Sequence, residues 1–300
     1  MTYTGVTRTG LLWARFLCLT VLLCIAVAVP FAPESRAQNG ALAEAPASEA
    51  LLRVRTLIRA NVLDLAERIM ETQGPPQLPN GEWLNWERQL WALYAARGKW
   101  EKLVQRVESI PPAFPRSVHL ESDLQAVRGH IALSEGSRAR RLLRKYLVSG
   151  TLSDRDLVPL RRLVVESYLV EGLLQEANVA AQVFQRDFRS LDRDWLLLAA
   201  RISLESGNPS SAVNLLAPLD DPAARLLLLW ARLENDSMPG DEVLRRADLM
   251  RKEEVYDSLQ RPLLAIMVAA SSRAGLVRDQ VDFLELYLSS DPAPTPTVFN

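Results

Sequence analysis

The chain has 300 residues, 48% of them hydrophobic and 24% charged, with a formal net charge of −1 and two cysteines. That composition excludes a disordered or collagen-like chain. The near-neutral charge and the scarcity of cysteine argue against a nucleic-acid binder and a disulfide scaffold.

Residues 1–37 read as a secretory signal. Arg8 and Arg15 give a positive start, Phe16–Val29 is apolar with Thr20 as its one clearly polar member, and Ser35-Arg36-Ala37 supplies a cleavage site. Fourteen apolar residues fall short of the roughly 20 that span a bilayer. An inner-membrane anchor formed by residues 11–29 is the competing reading. Leu23 before Cys24 does not suit lipidation. Both cysteines, Cys18 and Cys24, lie inside the signal, so the mature chain offers no thiolate chemistry. Removing residues 1–37 takes away Arg8, Arg15, Arg36 and Glu34 and leaves 32 basic against 35 acidic residues. The expected compartment is the bacterial periplasm, with membrane contact only if the signal stays uncleaved.

Residues 38–47 read as a flexible spacer. From Ser48, a candidate N-cap, to about residue 290 the text is helical, without period-two strand signals. Proline falls at the expected boundaries: Pro75, Pro76 and Pro79, then Pro111, Pro112 and Pro115, then Pro218 and Pro222.

Turn signals recur along this region at Asn61, Gly98, Gly136, Gly172, Gly207, the stretch Asn235 to Gly240, and Gly275. The steps from Gly98 to Gly207 are 38, 36 and 35 residues, and Gly207 to Gly275 is two units of 34. Such a period signals stacked supersecondary units. Around Gly98, Trp83, Trp86, Leu90 and Tyr94 line one helix, and Trp100, Leu103, Val104, Val107 and Ile110 line the next. Later second helices carry Ala139, Leu142, Leu143 and Tyr146, then Ala177, Ala180, Ala181 and Phe184, then Ala212, Val213, Leu216 and Leu219, and finally Val281, Leu284, Tyr287 and Leu288. The helical spacing of Trp83, Trp86, Trp91 and Trp100 predicts packed core. The basic run Arg138–Lys145 reads as a solvated face, with an anionic surface as the sharper alternative.

Gly98 with Tyr94, Trp100, Leu103 and Pro111/Pro112 resembles the tetratricopeptide repeat. Gly172 with Tyr168, Ala177 and Phe184 resembles it too, and Gly207 with Ala212 and Pro222 does so in part. The Gly136 unit is offset and the unit near Asn235 has lost the pattern, so the array over 48–290 is degenerate. The resemblance implies an all-α, right-handed α-solenoid of about seven stacked helix-turn-helix units. It also implies that first helices line a concave binding surface. Alignment on the turns then places Asn85, Arg88, His130, Arg162, Glu166, Arg201, Glu205 and Arg273 on that surface. Guanidinium groups there suit carboxylates of a partner. Arginine outnumbers lysine 31 to 4 in the chain, however, which weakens the inference from any one position.

No catalytic pattern is present. His119 and His130 share no metal-ligand spacing, and there is no nucleophile elbow or phosphate loop. The expectation is an exported non-catalytic scaffold, without cofactor or metal, that binds a protein or peptide partner of the envelope. Peptidoglycan is not indicated. The alternatives are the helical arm of a periplasmic cell-wall enzyme resembling lytic transglycosylases, or a membrane-tethered structural subunit. Residues 291–300, with Pro292, Pro294 and Pro296, read as a Pro-rich linker or a truncated end.

Overall fold

The computed structural model describes residues 49–75, 81–148, 152–188 and 192–290. The signal, the spacer, the Ser48 cap, Pro76, Pro79 and the Pro-rich end lie outside the described residues. Within them the chain is all-helical, with fourteen α-helices and no strand. Contacts divide it into two bodies, one ending at Glu171 and the other beginning at Gly172.

The first body contains α1 (Glu49–Arg59), α2 (Leu63–Thr72), α3 (Gly81–Ala96), α4 (Trp100–Glu108), α5 (Arg116–Ala132), α6 (Gly136–Leu147) and α7 (Asp154–Leu169). The second contains α8 (Leu174–Phe188), α9 (Arg193–Glu205), α10 (Pro209–Leu216), α11 (Pro222–Glu234), α12 (Gly240–Arg251), a 3₁₀ segment (Glu254–Leu259), α13 (Gln260–Ala274) and α14 (Val277–Ser289). Several starts carry side-chain caps: Asp192 Oδ1 accepts from Trp195 N at 2.9 Å, and Asp221 Oδ1 accepts from Ala224 N at 3.2 Å.

Seven described residues have positive φ: Asn61, Gly98, Ser134, Gly172, Gly207, Asp236 and Gly275. Each follows an odd-numbered helix. Six of the seven fall where the turn signals predict, and one corrects the prediction. Gly136 is not the turn residue; Ser134, at φ 59°, takes the left-handed place. Gly136 instead opens α6, where a Cβ would lie 2.0 Å from the Ser167 carbonyl oxygen. Its glycine is there for close helix approach rather than for the bend.

Proline keeps to the helix boundaries that the sequence predicts at Pro222, and Pro159 departs from the pattern. Pro222 opens α11 and Pro209 opens α10, where an N–H has no intrahelical partner to lose. Pro159 sits inside α7, where one backbone bond is forgone.

Each body builds a core from neighbour-on-neighbour packing. In the first, α2 packs on α3, α4 on α5 and α6 on α7, while α3 also reaches α5 and α5 reaches α7. Trp83, Trp86 and Trp91 are buried, and Trp100 is half-buried against the same cluster. Trp83 meets Phe114 at 4.4 Å between ring centroids, and Trp86 Nε1 donates to the Met70 carbonyl at 3.0 Å. In the second body α10 packs on α11 and α12 on α13, while α9 reaches α11 and α11 reaches α13. Phe184 stacks on Trp195 at 4.2 Å, and the core runs from Leu197 to Tyr287. Two-helix hairpins expose an apolar stripe when alone, and the next hairpin covers it.

Candidate functional site

The eight sequence-selected positions fall on odd-numbered helices, and their surroundings differ. Asn85 and Arg88 lie on α3, half-buried and exposed respectively. Arg88 makes a two-pronged ion pair to Glu121 of α5, at 2.6 and 2.8 Å. Planar guanidinium and carboxylate match in this geometry, so α3 and α5 are joined at the surface.

His130, near the end of α5, is buried. Its Nδ1 lies 2.7 Å from Glu135 Oε2, and its Nε2 lies 3.6 Å from Glu108 of α4. The hydrogen bond from His130, joined by Arg138, holds the Glu135 carboxyl below its ordinary range. Arg162 and Glu166 occupy one face of α7, half-buried. Burial disfavours the charge on Arg128 of α5, and the Glu166 carboxylate works against that effect.

Arg201 and Glu205 form an i,i+4 pair on α9 with an N–O distance of 3.7 Å, and their side chains are 5% and 4% exposed. Arg201 Nε and Glu205 Oε2 make no hydrogen bond. Burial raises the Glu205 carboxyl, and Arg201 only partly counters it. Arg273 of α13 reaches the end of α11. It donates to the Leu233 carbonyl, to Asp236 at 2.8 Å and to Glu234 at 3.1 Å. For Arg88, Arg201 and Arg273, the carboxylate that the sequence assigns to a partner is therefore supplied by the chain itself.

The same device recurs at residues that sequence reasoning passed over. Glu67 of α2 is buried and accepts from Arg97, from Lys99 at 2.6 Å and from Lys102 at 3.2 Å. Burial alone would raise its carboxyl, but Lys99, Lys102 and Arg97 outweigh burial and hold it below the usual value. Glu87 of α3, also buried, accepts a forked pair from Arg106 of α4. Glu171 receives Arg140 at 2.5 Å and the Ser137 N–H at 2.5 Å, so a carboxylate sits on the first turn of α6. A signal for the first two exists in the sequence: each is an acid inside an apolar stripe, Glu67 beside Ala66, Ile69 and Met70, and Glu87 beside Trp83, Trp86 and Leu90.

The basic run on α6 divides in two. Arg138 and Arg140 pair with Glu135 and Glu171. Arg141, Arg144, Lys145 and Val148 line an open depression of about 380 Å³. Among the described residues no group of three or more His, Cys, Asp or Glu side chains is arranged to hold a metal, and no helix is long and apolar enough to cross a membrane. No family model, curated protein or solved structure matches this chain.

Proposed function

We propose that this chain is an exported, non-catalytic scaffold. Its hairpins stack as a right-handed, tetratricopeptide-like α-solenoid of about seven units, and it binds a protein partner of the envelope along its first helices. The observation that carries this reading is the side-by-side contact of those helices, α3 with α5 and α5 with α7 in one body, α9 with α11 and α11 with α13 in the other. Rows of parallel helices offer a long surface of side chains rather than an enclosed pocket, which suits an extended or helical peptide segment. Residues 1–37 support export, since their charge, apolar run and small residues follow the order of a secretory signal.

Burial and internal pairing guide which positions we offer to a partner. His130, Arg201 and Glu205 are buried, and Arg273 clamps the end of α11. Asn85, Arg88, Arg162 and Glu166 remain as the contact set, with Glu121 added as the acidic neighbour of Arg88. The test is capture of envelope proteins on the purified chain, with the Arg88→Glu and Arg162→Glu double variant as control and its melting temperature checked. A protein held by the parent and lost from the variant supports the reading. Capture that is indifferent to the reversals, or capture of glycan strands, contradicts it.

A further inference from the structure

Two second helices, α6 and α12, are rich in cations and treat them differently. On α12, Arg245 and Arg246 pair with Glu242, while Arg251 and the adjoining Lys252 pair with Asp248. Each acid stands three or four residues from its cations, so the helix neutralises its own charge. The residues of α6 include Arg138, Arg140, Arg141, Arg144 and Lys145, and no acid. Arg138 and Arg140 find Glu135 and Glu171, and Lys145 stands 3.5 Å from Asp123. Arg141 and Arg144 are exposed, and among the described residues no ion pair or hydrogen bond engages their side chains.

Arg141, Arg144 and Lys145 share one side of the helix, because residues three and four apart are neighbours on its surface. Ala139, Leu143 and Tyr146 occupy another side, which is buried in the fold. The apolar stripe of α6 is therefore already in use, and the helix meets anything further through its cations. The depression among Arg141, Arg144, Lys145 and Val148 is open, and α6 with its C-cap supplies the whole lining. The body that contains it is the cationic one: residues 49–171 hold 19 basic and 15 acidic side chains, although the whole chain carries −1.

The chemistry that fits this face is a field of mobile phosphates. Where this chain holds a single carboxylate, a fork of donors is already seated on it, as Arg88 is on Glu121 and Arg106 on Glu87. Arg141 and Arg144 have no contact that fixes their forks, and no second helix walls the depression. Holding two long exposed side chains in one geometry for one fixed acid costs entropy. Lipid headgroups move to meet the cations and do not impose that cost. Cations beside an anionic bilayer act through its surface potential, each worth about fivefold in partitioning, and the attraction fades within a Debye length.

We propose that the Arg141, Arg144 and Lys145 face of α6 docks on an anionic phospholipid bilayer. The test is flotation of the purified chain with vesicles of phosphatidylcholine alone and of phosphatidylcholine mixed with phosphatidylglycerol. The neutral vesicles measure what the apolar run 16–29 contributes, and the excess on the anionic vesicles measures charge. That excess should fall about fivefold in Arg141→Gln and about thirtyfold in Arg141→Gln/Arg144→Gln. It should also fall as salt rises from about 0.05 to 0.5 M. Both variants should melt at the parent's temperature. Arg245→Gln/Arg246→Gln removes the same charge from paired positions on α12 and should bind as the parent does. No excess on anionic vesicles overturns the proposal, as does an excess that survives the α6 double variant. A loss equal in the α12 variant reports net charge alone and overturns it too. So does a lowered melting temperature of the α6 double variant, which would mean that these guanidinium groups serve the fold. A chain that ignores the vesicles but is held by immobilised polyglutamate through Arg141 and Arg144 would assign the face to an acidic protein and overturn it as well.

Discussion

Arg273 on α13 reaches back 2.8 Å to Asp236, the residue that takes the left-handed conformation in the turn after α11. A hairpin's bend is thereby held by a cation from the next hairpin. In the first body Arg97 also reaches back to the preceding hairpin, donating to Asp64 at 2.5 Å and to Glu67, both on α2. These arginines act as clamps between consecutive hairpins. Replacing Arg273 by Met removes a donor to the Leu233 carbonyl as well as the two acid contacts. The expected loss is about 1 to 3 kcal/mol in urea unfolding, the range for hydrogen bonds from charged groups.

The Arg201–Glu205 pair makes an opposite prediction. A buried pair that lacks part of its hydrogen bonding is costly to break and cheap to replace. Arg201→Met alone should destabilise by about 3 to 5 kcal/mol, and Arg201→Met/Glu205→Leu should recover most of that loss. Because burial already raises the Glu205 carboxyl, the single variant should lose less stability as pH falls and the acid takes up its proton. Equal losses in the single and double variants would contradict this account of the pair.

Glu67 should give stability a pH dependence of the reverse sign. Its folded carboxyl titrates below its unfolded value, so its contribution is present above the unfolded value and is lost as pH falls through the folded one. Unfolding measured between neutral pH and about pH 3 should show a decline that is shallower in Glu67→Gln, whose side chain does not titrate.

Two glycines separate close approach from backbone freedom. Gly136→Ala drives a methyl into the Ser167 carbonyl and should cost about 1 to 3 kcal/mol or more, as overpacking does. Gly172→Ala meets no atom within 4 Å, but its φ of +70° is left-handed, and the strain is about 1 to 2 kcal/mol. A second-site change of Ser167 to Gly cannot relieve either cost, because the clash at Gly136 is with backbone.

Most of the fold was legible because it is written in short-range terms. Glycine or asparagine marks five of the seven left-handed turns, and the three-four apolar spacing marks the helices between them. Ser134 escaped notice because serine carries no strong left-handed signal, and the glycine two residues later drew attention to itself for a packing reason. The functional surface was harder to read. Register alone put Arg88, Arg201 and Arg273 on one face, but which carboxylate each meets is decided by residues up to 39 positions away, as Glu234 is for Arg273. Arg201 is the exception, because Glu205 stands one helical turn along and the pairing could be read directly.

The most direct test of the scaffold claim is site-specific photo-crosslinking in the producing cell. A photoreactive residue would be placed at Asn85, Arg88 or Arg162 on first helices, and at Gln105 or Gln182 on second helices as controls. The account predicts a discrete covalent adduct with one protein from the first-helix positions and none from the controls. Adducts from the second helices alone, or none from any first-helix position, would contradict it.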